Sequence, residues 1–165
     1  MNKAVFLDRD GTINEDMEYL YKPEDFRWIA GAKEAIKYAR DKGYLVIIVT
    51  NQSGVARGYF TEDDVKALHN FINDELQKIN TKIDAFYYCP HHPKSNIPKY
   101  KAECNCRKPK SGMILQAAKD FDIDLSASFI FGDKERDILA GYGAGVKGEI
   151  FDPKGNLFAL VSKYI

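Results

Sequence analysis

Apolar and polar residues follow two alternating patterns along this chain. Segments of strand length that are rich in apolar residues cover residues 4–7, 44–49, 83–88, 128–131 and 146–151, and the first two are unbroken apolar runs. Apolar residues recur every three or four positions over residues 32–39, 65–79, 114–121, 137–142 and 157–164. The first pattern is typical of buried strands and the second of amphipathic helices. Their regular alternation predicts an α/β fold, in which a mostly parallel sheet is covered by helices on both faces.

Several residues predict where the helices begin and end. Gly43 follows the first helical segment, where a left-handed residue commonly ends a helix. Thr61 and Asp64 have the spacing of a capping box, which predicts that the second helix starts there. Ser111 is expected to cap the helix that follows it. Residues 15–28 contain several aromatic side chains without a regular period, and we expect a packed loop.

Side chains with catalytic or metal-binding potential directly follow four of the predicted strands. These residues are Asp8 and Asp10, Thr50 and Asn51, Cys89, and Asp133. Parallel strands bring their carboxyl ends to one edge of the sheet, which is where α/β proteins have their sites. A single such position could reflect ordinary turn composition, but four of them together predict an enzyme.

The first of these strand ends carries two carboxylates. Side chains alternate along a strand, so we expect Asp8 and Asp10 to point to one side and Arg9 to the other. Two carboxylates this close repel each other unless a cation with oxygen preferences, such as Mg²⁺, lies between them. Gly11 allows a sharp turn or a close approach to a ligand. The alternative is a strand that ends in an ordinary Asp-Gly turn.

Composition and charge limit the possible partners. The 165 residues include 24 Lys or Arg and 24 Asp or Glu, so no basic field favours nucleic acid. The first strand begins almost at Met1, which leaves no room for a signal peptide, and no apolar run has membrane-spanning length. We therefore expect one cytoplasmic domain over residues 1–165, acting as a monomer with no membrane partner.

Four ordered segments resemble the motifs of the haloacid dehalogenase-like phosphatases. They are DRDGT at residues 8–12, TNQSG at 50–54, RKP at 107–109 and GDKERD at 132–137. Within this superfamily the chain is most similar to the zinc-containing heptose bisphosphate phosphatases, which are related to histidinol-phosphate phosphatases. The resemblance covers almost the whole chain and implies a Rossmann-like fold of that superfamily.

The chemistry of phosphate ester hydrolysis agrees with what the resemblance implies. Asp8 matches a nucleophile that forms an aspartyl-phosphate, which splits one slow step into two faster ones. Asp10 matches a general acid and base that protonates the leaving oxygen and later deprotonates water. The implied Mg²⁺ is bound by Asp8, Asp133 and the main-chain carbonyl of Asp10, and it screens the Asp8 carboxylate from the incoming phosphate.

The remaining site residues are implied by the same resemblance. Thr50 and Lys108 match residues that hold the phosphoryl oxygens, and Arg107 matches one that contacts a second phosphate. Lys134 is expected to reach a phosphate or the nucleophile, and Asp137 to orient Lys134 or a metal-bound water. The full expected substrate-binding set is Asp16, Tyr19, Asn51, Gln52, Ser53, Arg107 and Lys134.

The three cysteines lie in a long segment without periodicity, residues 89–109, which needs something to hold it. A closed tetrahedral zinc site is expected from Cys89, His91, Cys104 and Cys106. A structural Zn²⁺ there would deliver Arg107 and Lys108 to the active site. His92 is the second choice of nitrogen ligand. Free buried cysteines beside an unrelated histidine are the alternative, and His69 is expected to be an ordinary helix residue.

Many relatives carry a cap domain over the active site, but the intervals after Gly11 and Thr50 are too short for one. Substrate selection is then expected from residues 15–28 and from the cysteine segment. Members of the family commonly have glycine before Tyr19, whereas this chain has Glu18. A carboxylate there could bind sugar hydroxyls or favour a cationic substrate.

The implied function is Mg²⁺-dependent removal of the 7-phosphate from D-glycero-D-manno-heptose 1,7-bisphosphate, a small-molecule sugar phosphate. The implied pathway is the synthesis of nucleotide-activated heptose or lipopolysaccharide. Histidinol-phosphate phosphatase is the closest alternative. A nucleic-acid 3′-phosphatase shares the first motif, and a non-catalytic interaction module stabilised by zinc is a further alternative.

Overall fold

A single parallel sheet runs through the centre of the molecule, as a computed structural model covering all 165 residues shows. Its strands are β1 (Lys3–Leu7), β2 (Tyr44–Asn51), β3 (Ala85–Cys89), β4 (Phe129–Gly132) and β5 (Lys147–Ile150). Their spatial order is β3-β2-β1-β4-β5, and every neighbouring pair is parallel. The first strand therefore lies at the centre, so the residues that follow it reach the middle of the carboxyl edge.

Helices cover both faces of the sheet and give it the three layers that the alternating pattern predicts. The helices are α1 (Ala32–Asp41), α2 (Glu62–Gln77), α3 (Gly112–Phe121), α4 (Glu135–Gly143) and α5 (Leu157–Val161). Residues of α1, α2 and α5 join one hydrophobic cluster, and residues of α3 and α4 join the other. The predicted fold class is thus confirmed.

The two hydrophobic clusters follow from strand alternation. Val5 and Leu7 belong to the cluster on the α1 side, whereas Ala4 and Phe6 belong to the cluster on the α3 side. Because a central strand is buried on both faces, its apolar residues are continuous and not alternating with polar ones. This explains the unbroken apolar runs in the sequence.

Most predicted helix ends agree with the structure. Thr61 and Asp64 form the expected capping box at the start of α2, and Gly43 has a φ of +88° just after α1. The prediction for Ser111 is wrong: it precedes α3, but its hydroxyl donates to the carbonyl of Ala140 at 2.6 Å and caps nothing. The Ser111 hydroxyl makes this tertiary hydrogen bond to α4 in place of a cap hydrogen bond within α3.

No cap domain interrupts the sheet. Three connections begin at the carboxyl edge: residues 8–31 after β1, residues 52–61 after β2 and residues 90–111 after β3. The last of them contains only a short 3₁₀ turn at Pro98–Tyr100. None of the helices combines the length and apolar character that crossing a bilayer requires.

Candidate active site

An open cavity of about 420 Å³ lies at the carboxyl edge of the sheet. Its walls are almost entirely polar, and they include every predicted catalytic, magnesium-binding and substrate-binding residue. The lining residues are Asp8, Asp10, Asp16, Glu18, Tyr19, Thr50, Asn51, Gln52, Ser53, Gly54, Arg57, Arg107, Lys108, Asp133, Lys134 and Arg136. Side chains from four separate parts of the chain therefore meet in one place.

Lys108 forms a buried ion network at the base of this cavity. Its Nζ lies 2.9 Å from Asp8 Oδ1 and 2.5 Å from Asp137 Oδ1, and it also donates to the carbonyl of Val49. Burial alone would lower the pKa of Lys108, but the two carboxylates raise it above its ordinary value. The ammonium therefore stays charged beside Asp8.

Asp137 accepts hydrogen bonds from two lysines of the site. Its second oxygen, Oδ2, accepts the main-chain N–H of Lys134 at 3.0 Å, while Oδ1 accepts from Lys108. The carboxylate thus orients Lys108 and the main chain of Lys134 in the first turn of α4, and its expected contact with a metal-bound water stays a prediction. The Lys134 ammonium lies 3.7 Å from Asp133 Oδ2, and Asp133 is the carboxylate it pairs with, in place of Asp8.

Asp8 and Asp133 are two carboxylates whose oxygens lie within 4.8 Å of each other. Burial raises the pKa of Asp8 to about 7, Asp137 and Asp10 add to this rise, and Lys108 opposes it. Burial and the charge of Asp137 also raise the pKa of Asp133. Asp133 Oδ1 is buried without any hydrogen-bond partner. An oxygen of this kind fits a hard cation such as Mg²⁺.

Gly11 is required by the same carboxylate. Its φ is +85°, and a Cβ at this position would overlap the Asp133 side chain. Both the backbone conformation and the space therefore demand glycine. The turn brings the main chain of Gly11 against the Asp133 side chain.

Asp10 is held by donors on several sides. Gln52 Nε2 donates to Oδ2 at 2.9 Å and Asn14 Nδ2 donates to Oδ1 at 3.0 Å. The Arg9 guanidinium forms a salt bridge with the same carboxylate at 3.1 Å. The Asp10 side chain remains 22% exposed, so one side of it faces the cavity. As expected, Arg9 itself does not line the cavity.

Thr50, Asn51 and Gln52 use their side chains in different ways. Thr50 Oγ1 lines the cavity and accepts from Gln52 Nε2 at 3.0 Å. The Asn51 amide accepts the main-chain N–H of Lys108 at 2.9 Å and donates to its carbonyl at 3.2 Å. Asn51 therefore anchors the main chain that carries Lys108, across a separation of 57 residues.

The loop after β1 forms one rim of the cavity. Glu18 and Tyr19 have φ values of +48° and +59°, in the left-handed region that favours glycine. This backbone is the physical reason that glycine suits the position before Tyr19. The Tyr19 ring packs edge-on against Tyr59 at 4.7 Å, and the Arg57 guanidinium lies 5.8 Å from its centroid. Asp16 accepts the Glu18 N–H at 3.1 Å.

Cationic side chains also line the cavity. Arg57, Arg107, Lys134 and Arg136 all line it, in addition to the buried Lys108. Arg107 Nη1 is buried and has no hydrogen-bond partner. A buried guanidinium nitrogen without a partner is costly unless a ligand satisfies it. The cavity thus combines acidic groups at its base with a cationic wall that suits an anionic substrate.

The cysteine segment brings four potential metal ligands together. The Sγ atoms of Cys89, Cys104 and Cys106 lie 2.7–3.3 Å apart, and His91 Nδ1 lies 3.5 Å from Cys106 Sγ. His92 faces elsewhere and accepts the Lys94 N–H. Three sulfurs and one imidazole within 4.8 Å have the number and chemistry of a tetrahedral zinc site. The two residues after Cys106 are Arg107 and Lys108.

The sequence analysis assigned no role in the site to three residues of this region, which are Arg136, Arg9 and His69. Arg136 lines the cavity next to Lys134, and only its place in the last motif hints at this. Arg9 is completely buried and His69 is 5% exposed, and the two side chains meet 3.3 Å apart. Helical spacing predicted a core position for neighbours of His69, but no local signal links it to Arg9.

Comparisons with known proteins agree with this geometry. The model of the family described as polynucleotide kinase 3 phosphatase matches residues 3–145. A solved structure of D,D-heptose 1,7-bisphosphate phosphatase from B. bronchiseptica, complexed with magnesium and phosphate, superposes with a TM-score of 0.81 at 32% identity. The match covers 98% of this chain and 86% of that one. The fold and the site together define a haloacid dehalogenase-like phosphatase.

Two sequence relatives narrow the classification. D-glycero-beta-D-manno-heptose-1,7-bisphosphate 7-phosphatase from Haemophilus influenzae is 48% identical over 89% of this chain and 79% of its own length. The corresponding alpha enzyme from Burkholderia mallei is also 48% identical, over 88% of this chain and 77% of its own length. This chain belongs to the heptose-1,7-bisphosphate 7-phosphatase family. The resemblance expected from the four motifs is confirmed.

Proposed function

We propose that this protein hydrolyses the 7-phosphate of D-glycero-D-manno-heptose 1,7-bisphosphate through an aspartyl-phosphate intermediate. One observation carries the proposal: Asp8, Asp10, Thr50, Lys108 and Asp133 converge on one cavity that four further cationic side chains also line. Relatives that bear the name of this activity are about half identical to the chain. The site thus contains a nucleophile, a proton carrier and phosphate ligands in reach of each other.

The first half of the reaction uses Asp8 and Asp10. Asp8 attacks the phosphorus, a new P–O bond forms, and the bond from phosphorus to the sugar oxygen breaks. Asp10 gives a proton to this leaving oxygen. In the second half Asp10 takes a proton from water, which attacks the phosphorus and releases inorganic phosphate from Asp8. The open side of Asp10 faces the cavity, as both steps require.

Lys108 and Thr50 hold the phosphoryl oxygens in this mechanism. The Lys108 ammonium is already fixed by Asp137 and by the Asn51–main-chain bonds, so it reorganises little during the reaction. Its contact with Asp8 at 2.9 Å places positive charge where the transferring group arrives. Thr50 adds a hydroxyl at the same end of β2.

Asp8, Asp133 and the main-chain carbonyl of Asp10 would hold Mg²⁺ in this proposal. The partnerless Asp133 Oδ1 supports this assignment. The Asp137 carboxylate lies within 4.8 Å of those of Asp8 and Asp133, and it accepts hydrogen bonds from Lys108 and the Lys134 N–H. When bound, Mg²⁺ supplies charge that offsets repulsion between the Asp8 carboxylate and the phosphate.

Zn²⁺ fits the cluster of Cys89, His91, Cys104 and Cys106 as a structural ion. All four ligand positions come from the protein, which leaves none for chemistry. Since Arg107 and Lys108 follow Cys106 directly, an ordered cluster keeps both of them at the cavity.

The substrate's second phosphate binds Arg107 in this proposal. The buried, partnerless Nη1 atom of Arg107 supports this assignment, and Arg57 and Arg136 lie on the same wall. The sugar contacts six further lining residues, which are Asp16, Tyr19, Asn51, Gln52, Ser53 and Lys134. Anomer choice is a separate question, because beta and alpha relatives are equally identical to this chain.

The 165 residues act in this proposal as one monomeric phosphatase domain in the cytoplasm. The two large hydrophobic clusters pack on a single sheet, which supports one domain. The product would enter the synthesis of nucleotide-activated heptose.

The test compares kcat/KM with Mg²⁺ for the two heptose 1,7-bisphosphate anomers, histidinol phosphate and a 3′-phosphorylated oligonucleotide. We expect a strong preference for one heptose bisphosphate, with Asp8→Asn abolishing turnover of every substrate. Preference for histidinol phosphate or the oligonucleotide would keep the mechanism and overturn the substrate. Full activity in Asp8→Asn would overturn the mechanism itself.

A further inference from the structure

Arg9 is the largest completely buried side chain of the protein, although it belongs to the motif that carries Asp8 and Asp10. An arginine is always charged, and burying it is costly unless each donor is satisfied. Its Nη2 donates to both oxygens of Asp10 at 3.1 Å, and its Nε donates to Oδ1 at 3.2 Å. This forked contact fixes the rotation of the Asp10 carboxylate as well as its position.

The other side of the guanidinium contacts His69 of α2. Arg9 Nη1 lies 3.3 Å from His69 Nε2, and arginine offers no acceptor, so this nitrogen of His69 must be unprotonated. Burial and the Arg9 charge lower the pKa of His69 to about 3, which keeps the ring neutral. Phe86 stacks on the ring at 4.2 Å with an interplanar angle of 12°. His69 is thus a rigid acceptor.

A third contact links Arg9 to the rim of the cavity. Nη2 also donates to the carbonyl of Leu20 at 3.1 Å. Leu20 directly follows Tyr19, whose ring forms part of the rim. Arg9 therefore joins Asp10, the helix α2 and the loop of residues 15–28 through one buried group.

We propose that Arg9, fixed by His69 and the Leu20 carbonyl, is a positioning residue that holds the Asp10 carboxylate in the orientation for proton exchange with the leaving oxygen. This inference rests on the proposed function, because it assumes that Asp10 is the proton carrier. His69, which the sequence marks only as a helix residue, is the second member of this device. Neither side chain lines the cavity, so neither touches substrate.

The leaving group provides a readout that separates positioning from general stability. A sugar alkoxide is a poor leaving group and depends on the proton from Asp10, whereas p-nitrophenolate leaves without one. The ratio kcat/KM reports the steps up to departure of the leaving group. A misoriented Asp10 therefore lowers kcat/KM for the sugar phosphate selectively. A merely loosened fold lowers it equally for both substrates.

The experiment uses a matched pair of variants at one position. His69→Phe keeps an aromatic ring against Phe86 but removes the acceptor, whereas His69→Gln keeps an acceptor. We expect His69→Phe to lower kcat/KM for heptose bisphosphate about tenfold and that for p-nitrophenyl phosphate less than about twofold. His69→Gln is expected to retain most of the wild-type selectivity between the substrates.

Two outcomes overturn the positioning role: equal losses for both substrates in His69→Phe, or the same selective loss in His69→Gln. If circular dichroism shows that His69→Phe is unfolded, Arg9→Lys replaces it in the comparison of the two substrates. A single ammonium cannot span Asp10, His69 and Leu20, so the same selective loss is expected. Failure of the proposed mechanism can be distinguished from failure of the positioning role, because activity would then survive in Asp8→Asn.

Discussion

At the scale of single residues, two glycines allow the effect of backbone strain to be distinguished from the effect of displacing a site residue. Gly11 and Gly43 have φ values of +85° and +88°. A Cβ on Gly11 would overlap the Asp133 carboxylate, whereas a Cβ on Gly43 would meet nothing within 4 Å. Alanine costs about 1–2 kcal/mol of backbone strain at either position. Only the change at Gly11 displaces a proposed magnesium ligand.

Gly11→Ala is therefore expected to raise the Mg²⁺ concentration for half-maximal activity, whereas Gly43→Ala leaves it unchanged. Magnesium titrations of phosphate release, with thermal melts of both variants, provide the measurement. A similar shift in the magnesium requirement of both variants would assign the effect to backbone strain and not to Asp133.

His69 gives a pH dependence at the same scale. Its pKa is about 3 in the folded protein and 6.5 when unperturbed, so the unfolded state binds the extra proton first. Folding stability from this group is complete above pH 6.5 and is lost as the pH falls from 6.5 towards 3. Between pH 7 and pH 5 the loss is about 2 kcal/mol.

Urea denaturation at pH 7 and pH 5 measures this loss, with His69→Gln as the control, because glutamine does not titrate. We expect the wild type to lose about 2 kcal/mol more than the variant over this interval. An identical loss in both proteins would mean that His69 is accessible to protons in the folded state.

At the scale of elements, the cysteine segment is a connection without regular structure that nevertheless carries two cavity residues. It is anchored away from the cluster by Tyr100, whose hydroxyl donates to Glu62 at 2.8 Å, and by Ser95, which donates to the carbonyl of Ala56. Glu62 belongs to the first turn of α2. These contacts fix the outer part of the segment, and the proposed zinc fixes its inner part beside Arg107.

Substitutions of the adjacent residues His91 and His92 test whether zinc fixes the inner part of the segment beside Arg107. His91→Ala is expected to abolish zinc binding, and to raise KM for the bisphosphate more than for a small monophosphate, because Arg107 is no longer held. His92→Ala is the matched control and is expected to retain one zinc per chain. Elemental analysis and the two KM values provide the measurement. Equal KM changes for both substrates would contradict the positioning of Arg107 by zinc.

At the scale of the whole molecule, the net charge is balanced, so attraction for phosphate comes from local groups of cations and not from a net positive charge. Lysine plus arginine equals aspartate plus glutamate over the chain, yet five cationic side chains line one cavity. Attraction of this kind is screened by salt over a distance of about 10 Å at 0.1 M ionic strength. The effect scales with substrate charge.

We therefore expect kcat/KM to fall between 25 and about 200 mM NaCl, and to fall more steeply for the heptose bisphosphate than for a monophosphate. Arg107→Gln is expected to bring the bisphosphate slope close to the monophosphate slope. Parallel salt dependences in the wild type would indicate that the second phosphate does not meet the cationic wall.

The sequence determined the framework of this protein by itself. Periodicity is a local property, so the apolar runs and helical stripes predicted the strands, the helices and their layers. Parallel strands share a carboxyl edge, which is why polar residues after separate strands, such as Asp8, Thr50 and Asp133, could be assigned to one site before any coordinates existed.

Only the tertiary structure decided how the buried charges pair. Lys108 meets Asp137 across 29 residues and Arg9 meets His69 across 60. The physical reason is desolvation: a buried charge must find a partner, and which partner it finds depends on three-dimensional packing and not on local spacing.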